Sequence, residues 1–123
     1  MTFSWLNLQG VRSSEGFTLQ RMHRYFYHYL SGERTIEIVV EPCQTSDNEY
    51  LEYIDTDSID RWREANPAAA LTDGESTAII ANTSAALTFM GIRHEIRSFS
   101  RRMAESPPPP LGKVVLNPNP RSD

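Results

Sequence analysis

Residues 24–41 constrain the fold more than any other part of this chain. Arg24 to Leu30 alternates Tyr25, Tyr27 and Tyr29 against Phe26, His28 and Leu30. Thr35 to Glu41 alternates Ile36, Ile38 and Val40 against Glu37, Val39 and Glu41. A period of two in aromatic and β-branched residues is strand patterning. Ser31-Gly32-Glu33-Arg34 lies between the runs and is turn material, so the pair predicts a β-hairpin. Pro42 has no N–H to give to a ladder and is expected to end the second strand. Cys43 to Asn48 then reads as a polar loop.

A hairpin with an apolar face needs a cover, and the rest of the chain offers one. Tyr50 to Ile54 reads as a third strand. Ser58 to Trp62 either continues the sheet or turns away from it. Thr72-Asp73-Gly74-Glu75 has the form of a capping box, with acids suited to the positive end of a helix. Ile79, Ile80, Thr83, Leu87 and Met90 follow at helical spacing and predict one buried stripe. Gly91 suits the left-handed residue that stops a helix. Ile92 to Ile96, or on to Phe99, reads as a short last strand. The expected fold is α+β: a small antiparallel sheet packed against one main C-terminal helix, in two layers.

Residues 24–103 form the expected domain, at a length of 123 residues that suits one core. Residues 1–23 have no clear assignment. Trp5, Leu6 and Leu8 suggest the start of a strand that Arg12-Ser13-Ser14-Glu15-Gly16 interrupts. Residues 104–123 hold Pro107 to Pro110 and the Asn-Pro-Asn-Pro run, and are expected to be a disordered, stiff polyproline tail. Apolar runs are only a few residues long, so no transmembrane helix or secretory signal is expected, and the expected location is the cytoplasm.

Charge is unevenly spread. Between Glu33 and Glu75 twelve acids face only Arg34, Arg61 and Arg63, a net of −9; the remainder carries nine basic and four acidic residues, a net of +5. Such a middle repels phosphates and argues against nucleic-acid binding. It either keeps a small domain soluble or steers it toward a basic partner.

Other chemistry finds little footing. The single Cys43 excludes an internal disulfide and a site of paired thiolates. His23, His28 and His94 lack metal-ligand spacing. His23 and His28, five apart in one strand region, would face opposite ways. The acids Glu52, Asp55, Asp57 and Asp60 lack the glycine and terminal glutamate of a calcium loop. No Gly-rich loop precedes a helix to cradle phosphate. No metal or cofactor is therefore expected. Tyr25, Tyr27 and Tyr29 with Arg24 suit either a nucleobase-stacking platform or strand packing, and the acidic middle favours packing. Trp62 suits either a core anchor or an interface residue.

Several of these segments together resemble a known family. They are Arg24-Tyr25-Phe26-Tyr27, the strand Thr35 to Pro42, Tyr53-Ile54 followed by Ser58-Ile59-Asp60-Arg61-Trp62, the helix end Ala86 to Ile92, and Glu95-Ile96. Over residues 24–96 this order is similar to small bacterial immunity proteins, the antitoxin partners of contact-dependent growth inhibition and other polymorphic toxin systems. The resemblance implies a cytoplasmic binding protein without catalysis. It implies neutralisation of a cognate toxin C-terminal domain, often a nuclease with a basic cleft, by covering its active site. Glu49, Glu52, Asp55, Asp57 and Asp60, with Trp62 beside them, are the expected partner-binding surface. A second reading is a small adaptor or secretion chaperone that docks through the basic, proline-rich tail. A third is a small enzyme using Tyr27, His28 and an arginine.

Overall fold

A computed structural model describes residues 1–64 and 70–100. Seven strands form one sheet in chain order: β1 (Phe3–Asn7), β2 (Gly10–Ser13), β3 (Phe17–His23), β4 (Phe26–Ser31), β5 (Arg34–Gln44), β6 (Tyr50–Asp55) and β7 (His94–Arg97). The helix α1 (Asp73–Phe89) lies between β6 and β7 in sequence. The architecture is thus mixed α+β, with one α-helix among the described residues on a mostly antiparallel sheet.

The sheet is larger than the alternation alone predicts. Residues 1–23 are not a separate segment but three strands of it. The polar run read as an interruption begins inside β2, which includes Arg12 and Ser13, and only Ser14 to Gly16 make the turn to β3. Gly16 sits at φ 101°, a left-handed conformation that glycine adopts without strain. Short strands between tight turns carry too few residues to show a period.

The predicted hairpin is β4 and β5, with Tyr27 opposite Ile38 and Tyr29 opposite Ile36. Tyr27 and Tyr29 are buried and Tyr25 stays exposed in the turn before β4. Pro42 does not end β5, which runs on to Gln44 and takes Cys43 with it. Arg34 to Val39 pair with β4, while Val40 to Gln44 pair with β6 on the other side. Pro42 faces Glu52, whose own N–H turns away to donate to the Arg93 carbonyl at 3.0 Å. The missing proline donor therefore points to the side where β4 has already stopped, and no ladder bond is lost.

The first half of β5 would be left as an edge, and the segment after β6 covers it. A 3₁₀ turn (Thr56–Ser58) leads away from the sheet. Ser58 Oγ accepts from the Val39 N–H at 3.0 Å, Glu64 Oε1 accepts from the Thr35 N–H at 2.6 Å, and the Arg63 N–H donates to the Thr35 carbonyl at 2.7 Å.

The helix begins as predicted. The Thr72 hydroxyl accepts from the Glu75 N–H at 3.1 Å, and Glu75 Oε1 accepts from the Thr72 N–H at 2.9 Å. It ends in a Schellman motif around Gly91 at φ 78°, with the Ile92 N–H donating to Leu87 O and the Gly91 N–H to Thr88 O. Ile79, Thr83, Ala86 and Leu87 are buried, with Ile80 and Met90 packed beside them. They meet Val11, Phe17, Leu19, Tyr27, Tyr29, Ile36, Ile38, Val40 and Ile54 from one sheet face. Asn82 donates to the Tyr29 hydroxyl at 3.0 Å and fixes the helix over β4.

The last strand departs from the antiparallel expectation. β7 runs parallel to β6, pairing Glu52 with His94 and Ile54 with Ile96. Two parallel neighbours need a crossover, and α1 supplies it. The C-terminal tail, residues 104–123, lies outside the described residues. Among the described residues no helix is long and apolar enough to cross a membrane.

Candidate functional site

Alternation on β6 places Tyr50, Glu52 and Ile54 on one face, where Ile54 joins the core and Tyr50, 51% exposed, lies at its rim. Glu52, between them, is inside: its relative exposure is 0%. A buried carboxylate is tolerated only when it is paired and hydrogen-bonded. Three donors converge on it. Arg21, at the end of β3, forms an ion pair with Oε2. The Tyr27 hydroxyl donates to Oε1 at 2.6 Å. The Tyr50 hydroxyl donates to Oε2.

The sheet order makes this meeting notable, since Arg21 on β3 reaches β6 across β4 and β5. The guanidinium lies over the Tyr27 ring, 4.5 Å from its centroid, and also donates to the carbonyls of His23 and Arg24 at 3.4 and 3.2 Å. The cluster thus ties the β3–β4 turn to β6. Burial, then the bond to Glu52, pushes the Tyr27 phenol far above its ordinary pKa. The same two causes push Tyr50 up to about 12. Both phenols are donors at neutral pH, not bases.

Glu52 is accordingly not part of a partner-facing strip. A carboxylate at 0% exposure, held by three internal donors, lies below the surface that a partner would touch. Asp55 is half-buried, and its Oδ1 accepts from the N–H groups of Asp57 at 3.0 Å and Phe99 at 3.2 Å. Asp57 is exposed and holds the chain after β7. The Ser98 hydroxyl donates to its two oxygens at 3.0 and 2.9 Å, and the Ser100 N–H at 3.0 Å. Those bonds, the Ser100 amide first, hold the Asp57 carboxyl below its usual range.

The other expected residues sit on the surface. Glu49, exposed at the β5–β6 turn, pairs with Arg93. Asp60 is exposed and 3.5 Å from Arg61 Nε. Trp62 is half-buried against the edge of the core, with the Arg34 guanidinium 5.7 Å from its ring centroid. The structure therefore does not bring Glu49, Glu52, Asp55, Asp57, Asp60 and Trp62 into one exposed patch. It splits them into a buried centre, a clamp and scattered surface charges.

The acidic middle survives as a surface nonetheless. Of its twelve carboxylates, ten are exposed: Glu33, Glu37, Glu41, Asp47, Glu49, Asp57, Asp60, Glu64, Asp73 and Glu75. Glu33, Glu37 and Asp60 flank the half of β5 that the 58–64 segment covers.

Each histidine makes contacts within the fold. His23 and His28 belong to successive strands, not to one strand as their spacing suggested, because the β3–β4 turn falls between them. His23 stacks on Phe26 at 5.5 Å, and His28 Nε2 lies 3.2 Å from Arg63 Nη1. His94 joins Ser84 Oγ at 2.8 Å and the Ile92 carbonyl at 2.9 Å, tying β7 to α1. No group of His, Cys, Asp and Glu suited to a metal occurs among the described residues. Sequence reasoning missed Arg21, Tyr27 and Tyr50 as one unit. The signal for Glu52 was its even spacing from Ile54.

Comparison with protein-family models, with curated proteins and with solved structures finds no match to this chain.

Proposed function

We propose that this chain is a binding protein of the immunity type, which neutralises a basic toxin domain by covering its active site. The observation that carries this reading is the sorting of charge. The carboxylate with the strongest internal demand is buried, while ten others of the same stretch remain at the surface against the three exposed arginines Arg34, Arg61 and Arg63. A field of one sign steers a partner of the other sign and raises its association rate. The buried Arg21–Glu52 cluster supports the reading indirectly. Its phenols are held as donors and its arginine is tied to Glu52 and to two backbone carbonyls, an arrangement suited to a scaffold.

The acidic surface in this reading is centred on Glu33, Glu37 and Asp60 and no longer includes Glu52. The test is co-expression with the toxin C-terminal domain encoded beside it. A complex that protects the cell, forms more slowly in added salt, and weakens when Glu33, Glu37 and Asp60 are all changed to lysine is the expected result. A folded triple variant that protects fully and associates at an unchanged rate overturns the acidic-surface reading. Absence of any complex or protection by the unaltered chain overturns the immunity reading itself.

A further inference from the structure

The two outer strands of the sheet are built differently. β7 carries His94, Glu95 and Arg97, with Arg97 and Glu95 paired at 2.5 Å. Charged side chains on an edge discourage pairing with another chain. β1 has none of this protection. No side chain from Met1 to Val11 is charged. Leu8 is 95% exposed and Trp5 50%, with Leu6 and Phe89 also exposed beside them. Phe89 of the helix stacks near Phe3 at 5.4 Å and Trp5 at 5.6 Å, so the apolar patch is continuous from helix to edge.

The backbone of β1 also has a free side. The Ser14 N–H donates to the Thr2 carbonyl at 2.8 Å, which makes Thr2 an inward-bonding position facing β2. Alternation then turns the N–H and C=O groups of Phe3 and Trp5 outward. Among the described residues no strand pairs with that side.

We infer that the β1 edge is a self-association surface and that its occupant is the β1 strand of a second copy of this chain. Two-fold antiparallel pairing centred on Ser4 sets Phe3 opposite the other copy's Trp5, and the reverse. Each outward donor and acceptor then meets its counterpart. Such an isologous contact needs no charge complementarity, which suits a strand without charge. Met1, Trp5, Leu6 and Phe89 lie along the paired stretch and Leu8 just past its end; their exposed parts offer at most roughly 500 Å² a side, or about 1,000 Å² for the pair, the level at which specific interfaces begin. This surface is separate from the one proposed for a toxin, since it contains none of the exposed carboxylates.

The test combines mass in solution with amide exchange on the full-length chain. Sedimentation should show a monomer–dimer equilibrium, and the Phe3 and Trp5 amides should exchange more slowly as concentration rises. Leu6→Lys with Leu8→Lys should give a monomer whose melting temperature and circular dichroism match the dilute wild type. Four results overturn the proposal. One is a monomer with fast-exchanging Phe3 and Trp5 amides at all concentrations. Another is a monomer in which those amides are protected independently of concentration, which would mean that the chain's own tail covers the edge. The third is a dimer in which they stay unprotected. The last is a folded double-lysine variant that remains dimeric.

Discussion

The two flanks of the sheet reach the same end by different physics. The N-terminal flank, β1 to β3, is held by aromatic and aliphatic contacts. Phe3 meets Phe17 edge-on at 5.9 Å, Phe17 stacks on Tyr29 at 5.0 Å, and Val11 and Leu19 are fully buried. The C-terminal flank, β6 and β7, adds to the apolar packing of Ile54 and Ile96 a set of carboxylate-centred contacts, one reaching back to β3. Glu52 gathers Arg21, Tyr27 and Tyr50, while Asp55 and Asp57 gather the backbone and hydroxyl donors after β7. Apolar contacts are non-directional and tolerate small adjustments, whereas a buried ion pair demands its full set of partners. The second flank should thus be the one that fails abruptly when a single group is removed.

The largest expected effect tests that demand. Arg21→Ala leaves the Glu52 carboxylate buried without its counter-ion and should cost about 3–5 kcal/mol. Replacing the pair together, Arg21→Met with Glu52→Gln, should cost much less, because no charge remains buried. Denaturant unfolding of the three chains measures this. Equal losses for the single and double variants would show that the cluster contributes packing rather than charge, and would erase the contrast between the flanks.

The helix that bridges both flanks supplies the apolar reference. Leu87 is fully buried, and Leu87→Ala should destabilise by about 2–5 kcal/mol. The loss should be the same at low and high salt. A loss below about 0.5 kcal/mol would place Leu87 outside the core.

Alkaline pH should weaken the Glu52 cluster, and with it Tyr29, whose phenol is also raised by burial. Tyr27 and Tyr50 have folded pKa values raised above that of a free phenol, by burial and by the bond to Glu52. Above a pH of about 10 the unfolded tyrosines release protons that the folded ones keep. Their contribution to stability is complete below that pH and falls as pH rises through 10 toward 12. In Tyr50→Phe this alkaline decline should be shallower. An identical decline would assign it to other groups.

The smallest effect concerns Asp57. Its carboxyl is held below the usual range by Ser100 and Ser98, so its contribution is present above a pH of about 4 and is lost as pH falls through its folded value. Asp57→Asn should leave the melting temperature nearly unchanged but speed exchange of the Ser100 amide at neutral pH. Unaltered exchange would mean that the clamp holds nothing.

Local patterns were enough for the elements with long periods and distinct ends. The β4–β5 hairpin, the strand at Tyr50, the Thr72 capping box, the Leu87 stripe and the Gly91 stop all follow from residues within a few positions of one another. Neighbour spacing and backbone preference determine such elements, and both are written along the chain. The remainder depended on distant parts. Whether Pro42 ends a strand depends on where β4 stops, and whether β7 runs parallel depends on how α1 crosses. Glu52 is the clearest case. A glutamate in an alternating strand has the same sequence signature whether it faces water or the core. Only the approach of Arg21 and Tyr27, from strands that lie 31 and 25 residues away in sequence, made burial of its charge tolerable. Compensation of a buried charge needs partners that the chain brings together only by folding.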